Sequence, residues 1–280
     1  MTEPTRLVAA DAIPAGTIVV GLDQTEHWRD ALDWAVDQAA REHRAISLVH
    51  ALTPSRSGDS AARSLAGARL LDDARERVGH RAPEMTVHTV LRTGRAVRIL
   101  HETATRARLL VVGARAHPTL WDRVTGATGG QVARHPSCAV VVVHRHTRRA
   151  AARGVLVAVG DSPLSREAVA FAADQAAQRG SPLTVLHVVP LPSVSRAADD
   201  DVGARRRLAA TISSVRSSFP SVAVRTAVVR GDPVGCILQA GRGMALIVLG
   251  AHHPSPADLV LGSTVTPVLQ RAACPVAVVP

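Results

Sequence analysis

The sequence predicts an α/β protein of two tandem doubly wound domains, each a five-stranded parallel sheet with helices on both faces. Three observations carry this prediction. Short apolar runs alternate with longer segments whose apolar residues recur at helical spacing, as in a sheet buried on both sides. The whole pattern returns at an offset of 137 residues. Each copy also contains an all-apolar run ending in glycine, Leu109 to Gly113 and Leu246 to Gly250, which reads as a buried strand delivering backbone into a crevice.

Residues 1 to 16 show no periodic pattern and read as a tail. From Thr17 a strand runs from Ile18 to Leu22, followed by a helix with Leu32, Ala35, Val36 and Ala39 on one face. A strand from Ile46 to Val49 and a helix bearing Leu71, Ala74 and Val78 come next. A third strand lies around Val87 to Leu91, and a shorter helix runs from about Arg95 to Thr105. The strand ending at Gly113, a further helix and the strand Ala139 to Val143 close the unit. Right-handed crossovers make such a chain doubly wound.

The self-match fixes the domain count. His50 pairs with His187, Leu71 with Leu208, Gly94 with Gly231 and Gly113 with Gly250; beyond that glycine the offset falls to 136, as Gly126 to Gly262 and Cys138 to Cys274 show. One residue is missing from the second long loop, where chains tolerate deletion. The repeat is too long for a solenoid unit and reads as a duplicated domain. The expected domains are 17–143 and 154–280, joined by a basic linker at 144–153. The closing strands, Ala139 to Val143 and Pro275 to Val279, are apolar and would lie at sheet edges, which invite pairing. An intramolecular pseudo-dimer is therefore expected, with a homodimer as a further option.

Composition narrows the function. A chain of 280 residues with 46% hydrophobic and 20% charged residues suits a soluble protein, and no run reaches the length of a membrane span. The polar N-terminus lacks a signal-peptide block, so a cytoplasmic protein is expected. All 33 basic residues are arginine, which removes a P-loop lysine and Schiff-base chemistry. The net charge of +10 raises nucleic acid as a partner, yet the arginines are scattered, Tyr is absent, and two Phe and three Trp offer little stacking. Specific nucleic-acid binding is disfavoured. Cys138, Cys236 and Cys274 form neither a disulfide framework nor a zinc pattern, and read as free thiols.

These ordered elements resemble the universal stress protein family in its tandem two-domain form. The likeness spans about Thr17 to Val143 and Gly154 to Pro280. It rests on the opening Ile18-Val19-Val20-Gly21-Leu22-Asp23, the Gly94 and Gly231 turns, the buried strand ending in Gly, and the closing Cys274-Pro275-Val276. The resemblance implies strand order 3-2-1-4-5 and, in one subset of the family, an ATP site. There an Asp after the first strand meets the nucleoside, backbone after the second strand meets adenine, and a G-x-x-G-x9-G-[ST] loop wraps the phosphates. Glycines admit the anion to the backbone, and the hydroxyl adds a donor.

In the first half this carry-over names Asp23, Gly113 and Gly126, with Ala51 at the adenine position and Thr25, Arg115 and Thr128 as plausible partners. The half departs at Ala116 and Ala127, where a Gly and a hydroxyl belong, and keeps the nine-residue spacer. In the second half Gly250, Gly262 and Ser263 match, with Ser162, Val188 and Thr264 beside them. Here His253 replaces the second Gly, the spacer is eight residues, and Gly160 stands where Asp23 stood, followed by Asp161, a substitute whose side chain would point elsewhere. The resemblance implies ATP, possible with Mg²⁺, in at least one half, with the first favoured. A ligand-free scaffold working through protein contacts is the alternative.

Other chemistries find little footing. His50 and His187 recur at equivalent strand ends, which favours a role in the fold over a metal. The pair His252-His253 and the single His117 have no carboxylate or Cys at ligand spacing. No nucleophile elbow occurs, and His101-Glu102 lacks the second His of a zinc protease. No catalytic residue is identified, and slow ATP hydrolysis is the most that is expected. A hydrolase acting on the alpha phosphate and a nonspecific nucleic-acid binder remain as readings from other classes.

Overall fold

The computed structural model describes residues 13–25, 27–53, 60–114, 128–134, 136–144, 154–160, 165–189, 208–209, 212–251 and 264–280. The chain divides into two compact units, Met1–His146 and Thr147–Pro280. In the first unit the order is β1 (Ile18–Leu22), α1 (Trp28–Glu42), β2 (Ile46–Leu52), α2 (Ser60–Arg81), β3 (Val87–Thr93), α3 (Ala96–Ala104), β4 (Leu109–Gly113), α4 (Thr128–Arg134) and β5 (Ala139–Val143). The second unit gives β6 (Val155–Val159), α5 (Ser165–Gln178), β7 (Leu183–Val189), a helical stretch α6 over 212–218, β8 (Val224–Arg230), α7 (Pro233–Ala240), β9 (Leu246–Gly250), α8 (Val265–Arg271) and β10 (Val276–Val279).

In the first unit the strands lie in the order β3-β2-β1-β4-β5, all parallel. The second unit runs β8-β7-β6-β9-β10, again all parallel. Parallel strands are buried on both faces, so they need no polar alternation. The runs Leu109 to Val112 and Val140 to Val143 are accordingly buried throughout. Crossovers send the chain one way from β1 and the other way from β3, which puts α1 and α2 against one face and α3 and α4 against the other. Gly21 lets α3 approach: a Cβ there would lie 3.1 Å from Leu100 and from Val112.

Strands β2 and β3 run further than their apolar patterns, to Leu52 and Thr93, because the two pair in register to that point. Strands β3 and β8 are followed by the same device. Gly94 has φ +153° and donates its N–H to the Leu52 carbonyl at 2.9 Å. Gly231 has φ +154° and does the same to Val189 at 3.0 Å. Only glycine adopts that backbone readily, which explains the repeated residue. Before β1, Ile13 is buried at 2%, and Gly16 donates to the Arg106 carbonyl at 2.8 Å, so the last residues of the patternless stretch are packed.

Helix α1 buries Leu32, Ala35, Val36 and Ala39 as its spacing predicts. It ends at His43, which takes the left-handed conformation at φ 51°, and Arg44 donates back to Ala39 at 3.0 Å. The helix also buries a carboxylate. Asp33 faces α2, where Arg77 grips it with two parallel bonds of 2.8 Å from Nε and Nη2. That fork geometry is the strongest of the common ion-pair arrangements. The hydrogen bond that Arg77 donates to Asp33 holds the guanidinium pKa above its ordinary value, against the opposing pull of burial.

Replacing Asp33 by Ala removes both bonds while Arg77 keeps access to water. The expected loss is about 1–2 kcal/mol. All three tryptophans, Trp28, Trp34 and Trp121, lie in the first unit. Urea unfolding followed by tryptophan fluorescence therefore reads that unit alone, and an unchanged midpoint would refute the assignment.

Burial pushes the Cys138 thiol up to about 11 and the Cys274 thiol up to about 12. At pH 8 the reactive thiolate is then about one part in a thousand and one in ten thousand. Iodoacetamide is expected to spare Cys274, which is 5% exposed, until the chain is unfolded, as peptide mass spectrometry would read.

Candidate nucleotide site

The candidate site of the first unit is assembled at the carboxyl ends of β1, β2 and β4. Because β1 and β4 are neighbours and the crossovers that leave them, to β2 and to β5, run in opposite directions, a crevice opens there. The residues after β1 form a tight turn. The Asp23 carboxylate oxygen Oδ1 accepts from the Thr25 N–H at 3.0 Å and from the Thr25 hydroxyl. Both residues are half-buried.

The chain then passes His27 and enters α1, and here it meets the end of β4. A Cβ on Gly113 would lie 2.8 Å from the His27 carbonyl oxygen and 3.1 Å from its carbon. Any side chain at 113 would push α1 away. The start of α4 arrives at the same place: a Cβ on Gly129 would lie 3.0 Å from Val112 and 3.9 Å from the Gly113 oxygen. Thr128, the first residue of α4, precedes Gly129 at this approach. Ala51 lies next along, one residue beyond the Leu22 and His50 register pair, opposite Arg92 of β3. Asp23, Thr25, Ala51, Gly113 and Thr128 thus share one edge of the sheet. Arg115 and Gly126 lie outside the described residues, as does the loop between them.

Among the described residues, the second unit repeats the frame with fewer polar groups. Gly250 ends β9 and Val188 sits near the end of β7 opposite Val229. Thr264 precedes α8 and makes no side-chain capping bond. Gly160, in the place of Asp23, is exposed, and a Cβ there would meet nothing within 4 Å. Ser162, Gly262 and Ser263 lie outside the described residues.

Two features escaped the sequence reading. One is the contact of Gly113 with His27. The other is the role of the repeated histidines: His50 Nδ1 lies 2.8 Å from the Leu22 carbonyl, and His187 Nδ1 lies 3.0 Å from that of Val159. Only their recurrence at one offset hinted at a shared structural task. Among the described residues no group of His, Cys, Asp and Glu is arranged to hold a metal, and no helix is long and apolar enough to cross a membrane.

The model of the universal stress protein family, Usp, matches residues 15–144 and again 152–280. The chain belongs to the universal stress protein family. A universal stress protein of Mycobacterium tuberculosis (strain H37Rv) is 29% identical over 286 residues, covering 93% of this chain and 95% of the relative. A second from the same organism is 30% identical over 272 residues, covering 94% and 95%. Among solved structures, a universal stress protein from Archaeoglobus fulgidus aligns with a TM-score of 0.73 at 17% identity, covering 95% of this chain and 96% of that one. The tandem universal stress protein architecture therefore extends over nearly the whole chain.

The site geometry separates two glycines that look alike in sequence. Gly113→Ala forces a methyl against the His27 backbone and is expected to cost about 1–3 kcal/mol. Gly160→Ala enters open space and is expected to stay within about 0.5 kcal/mol of the parent. Urea unfolding followed by circular dichroism tests both, and equal costs would contradict the described packing.

Proposed function

We propose that the first unit binds an adenine nucleotide, ATP with Mg²⁺, and that the protein serves cytoplasmic stress adaptation through this bound state rather than through committed catalysis. The observation that carries the reading is the Asp23–Thr25 turn after β1, next to β4, whose closing Gly113 meets the His27 backbone and lies near the start of α4 at Gly129. A carboxylate there suits the hydroxyls of a ribose. Small residues at the end of β4 and the start of α4 suit the approach of phosphates to backbone N–H groups. The family's ATP-binding subset, with Asp after the first strand, supports the same assignment. In the second unit Gly160 stands in the place of Asp23 and the next carboxylate is one residue on, at Asp161, so binding is assigned to the first unit.

A ligand-free scaffold is the competing reading, and one observation favours it. The need for glycine at 113 is met by the His27 backbone alone, with no anion required. Calorimetric titration of the full chain with ATP and Mg²⁺ separates the two. Saturable heat at one site per chain is expected, and Asp23→Ala should weaken affinity by about tenfold or more, as loss of a charge-assisted hydrogen bond does. No heat at millimolar ATP, on the order of the weakest specific affinities, would leave the scaffold. Unchanged affinity in Asp23→Ala would move the site out of the first unit.

A further inference from the structure

His50 is buried, at 5% exposure, in a strand otherwise built of aliphatic residues and Ser47. An imidazole removed from water must find a hydrogen bond. Its Nδ1 lies 2.8 Å from the Leu22 carbonyl, and since a carbonyl only accepts, Nδ1 carries the proton and donates. Leu22 is the last residue of β1, and its carbonyl shares one planar peptide with the Asp23 N–H. In a trans peptide the two groups point in opposite directions. Drawing the carbonyl toward β2 therefore turns the Asp23 N–H toward β4, the other neighbour of β1.

Room for this ring is kept by α2. Gly67 lies within that helix despite its poor helix propensity, and a Cβ there would lie 2.9 Å from Leu91 Cδ1 and 3.0 Å from His50 Cδ2. Three elements thus meet on one peptide bond: β2 supplies the donor, α2 the space, and β1 the acceptor. Immediately downstream, Asp23 folds back on Thr25.

We propose that His50 is the positioning residue of the nucleotide turn: its hydrogen bond to Leu22 fixes the Leu22–Asp23 peptide and so aims the Asp23–Thr25 turn at the ligand. The identity of that ligand rests on the nucleotide reading above. The second unit keeps the clamp, with His187 Nδ1 at 3.0 Å from Val159, but the peptide it holds leads to Gly160. The clamp sets backbone in both units, but the residue that shares the clamped peptide is Asp23 in the first and Gly160 in the second. His50 should then matter for nucleotide binding, and His187 should not.

The test uses the full-length chain and the variants His50→Leu, His50→Asn and His187→Leu. Asn keeps a donor at the δ position, whereas Leu fills the space without one. Residue-resolved amide exchange by NMR is expected to quicken by about tenfold or more at Asp23 and Thr25 in His50→Leu, with the amides of β5 unchanged. ATP affinity should fall by about tenfold or more in the same variant. In His50→Asn both readouts should return to within about threefold of the parent, and His187→Leu should leave both unaltered. Unchanged exchange at Asp23 and Thr25, or unchanged ATP affinity, in His50→Leu overturns the proposal. So does an Asn variant as impaired as the Leu variant, which would make packing the cause. If the unaltered chain takes no ATP, the nucleotide reading falls by itself, and the exchange comparison still decides whether His50 sets the turn.

Discussion

Everything at the candidate site depends on β1 having parallel neighbours on both sides. Parallel pairing sends every strand's carboxyl end to one edge of the sheet, and the divergence of the crossovers around β1 leaves space between its end and that of β4. The turn after β1, the glycine ending β4 and the start of α4 meet there because of topology, although Asp23 and Thr128 are far apart in sequence. The close approach of His27 to Gly113 is the tightest point of this convergence. Loops can vary around such a frame without moving the residues at the strand ends.

The fold was legible because its signals are local. Apolar runs, helical spacing and glycines at strand ends each occupy a few residues, and the internal offset let one half check the other. Strand ends were less legible: β2 and β3 extend past their apolar cores because each is the other's partner, which no window on a single strand records. The site was legible only as residue types. Its geometry comes from long-range contacts, such as the His50 imidazole on a carbonyl 28 residues away and the His27 backbone against Gly113. The buried Asp33–Arg77 fork, 44 residues apart, was invisible for the same reason, since an Asp on a helix reads as a solvated residue until its partner is known.

The two halves differ in a way that separates what the fold requires from what one half has added. The first unit carries the Asp33–Arg77 fork, and a half-buried Glu42 that accepts from Gln38 at 2.6 Å, Arg44 at 3.0 Å and Arg108 at 3.1 Å. At the matching positions of the second half stand Ala170, Ser214, Arg179 and Ala245, so neither arrangement can form. Arg179 instead donates to Gln175, the counterpart of Gln38, at 2.6 Å. Side-chain pairing on the helices has changed while the sheet has not, as expected of ion pairs that contribute little beyond the burial around them.

Three features are present in both halves, and all of them act on backbone at strand ends. The glycines at 94 and 231 allow the same unusual φ, the glycines at 113 and 250 end the fourth strand, and the histidines at 50 and 187 hold the carbonyl that closes the first. These keep the crevice open whether or not anything occupies it. Asp23 is different: it is a side chain placed on that backbone, and its counterpart Gly160 has open space where a Cβ would stand. A Cβ at 160 would meet no obstruction. The asymmetry between the units is therefore one of chemistry carried on a common frame, and it puts the nucleotide reading on the half where clamp and carboxylate occur together.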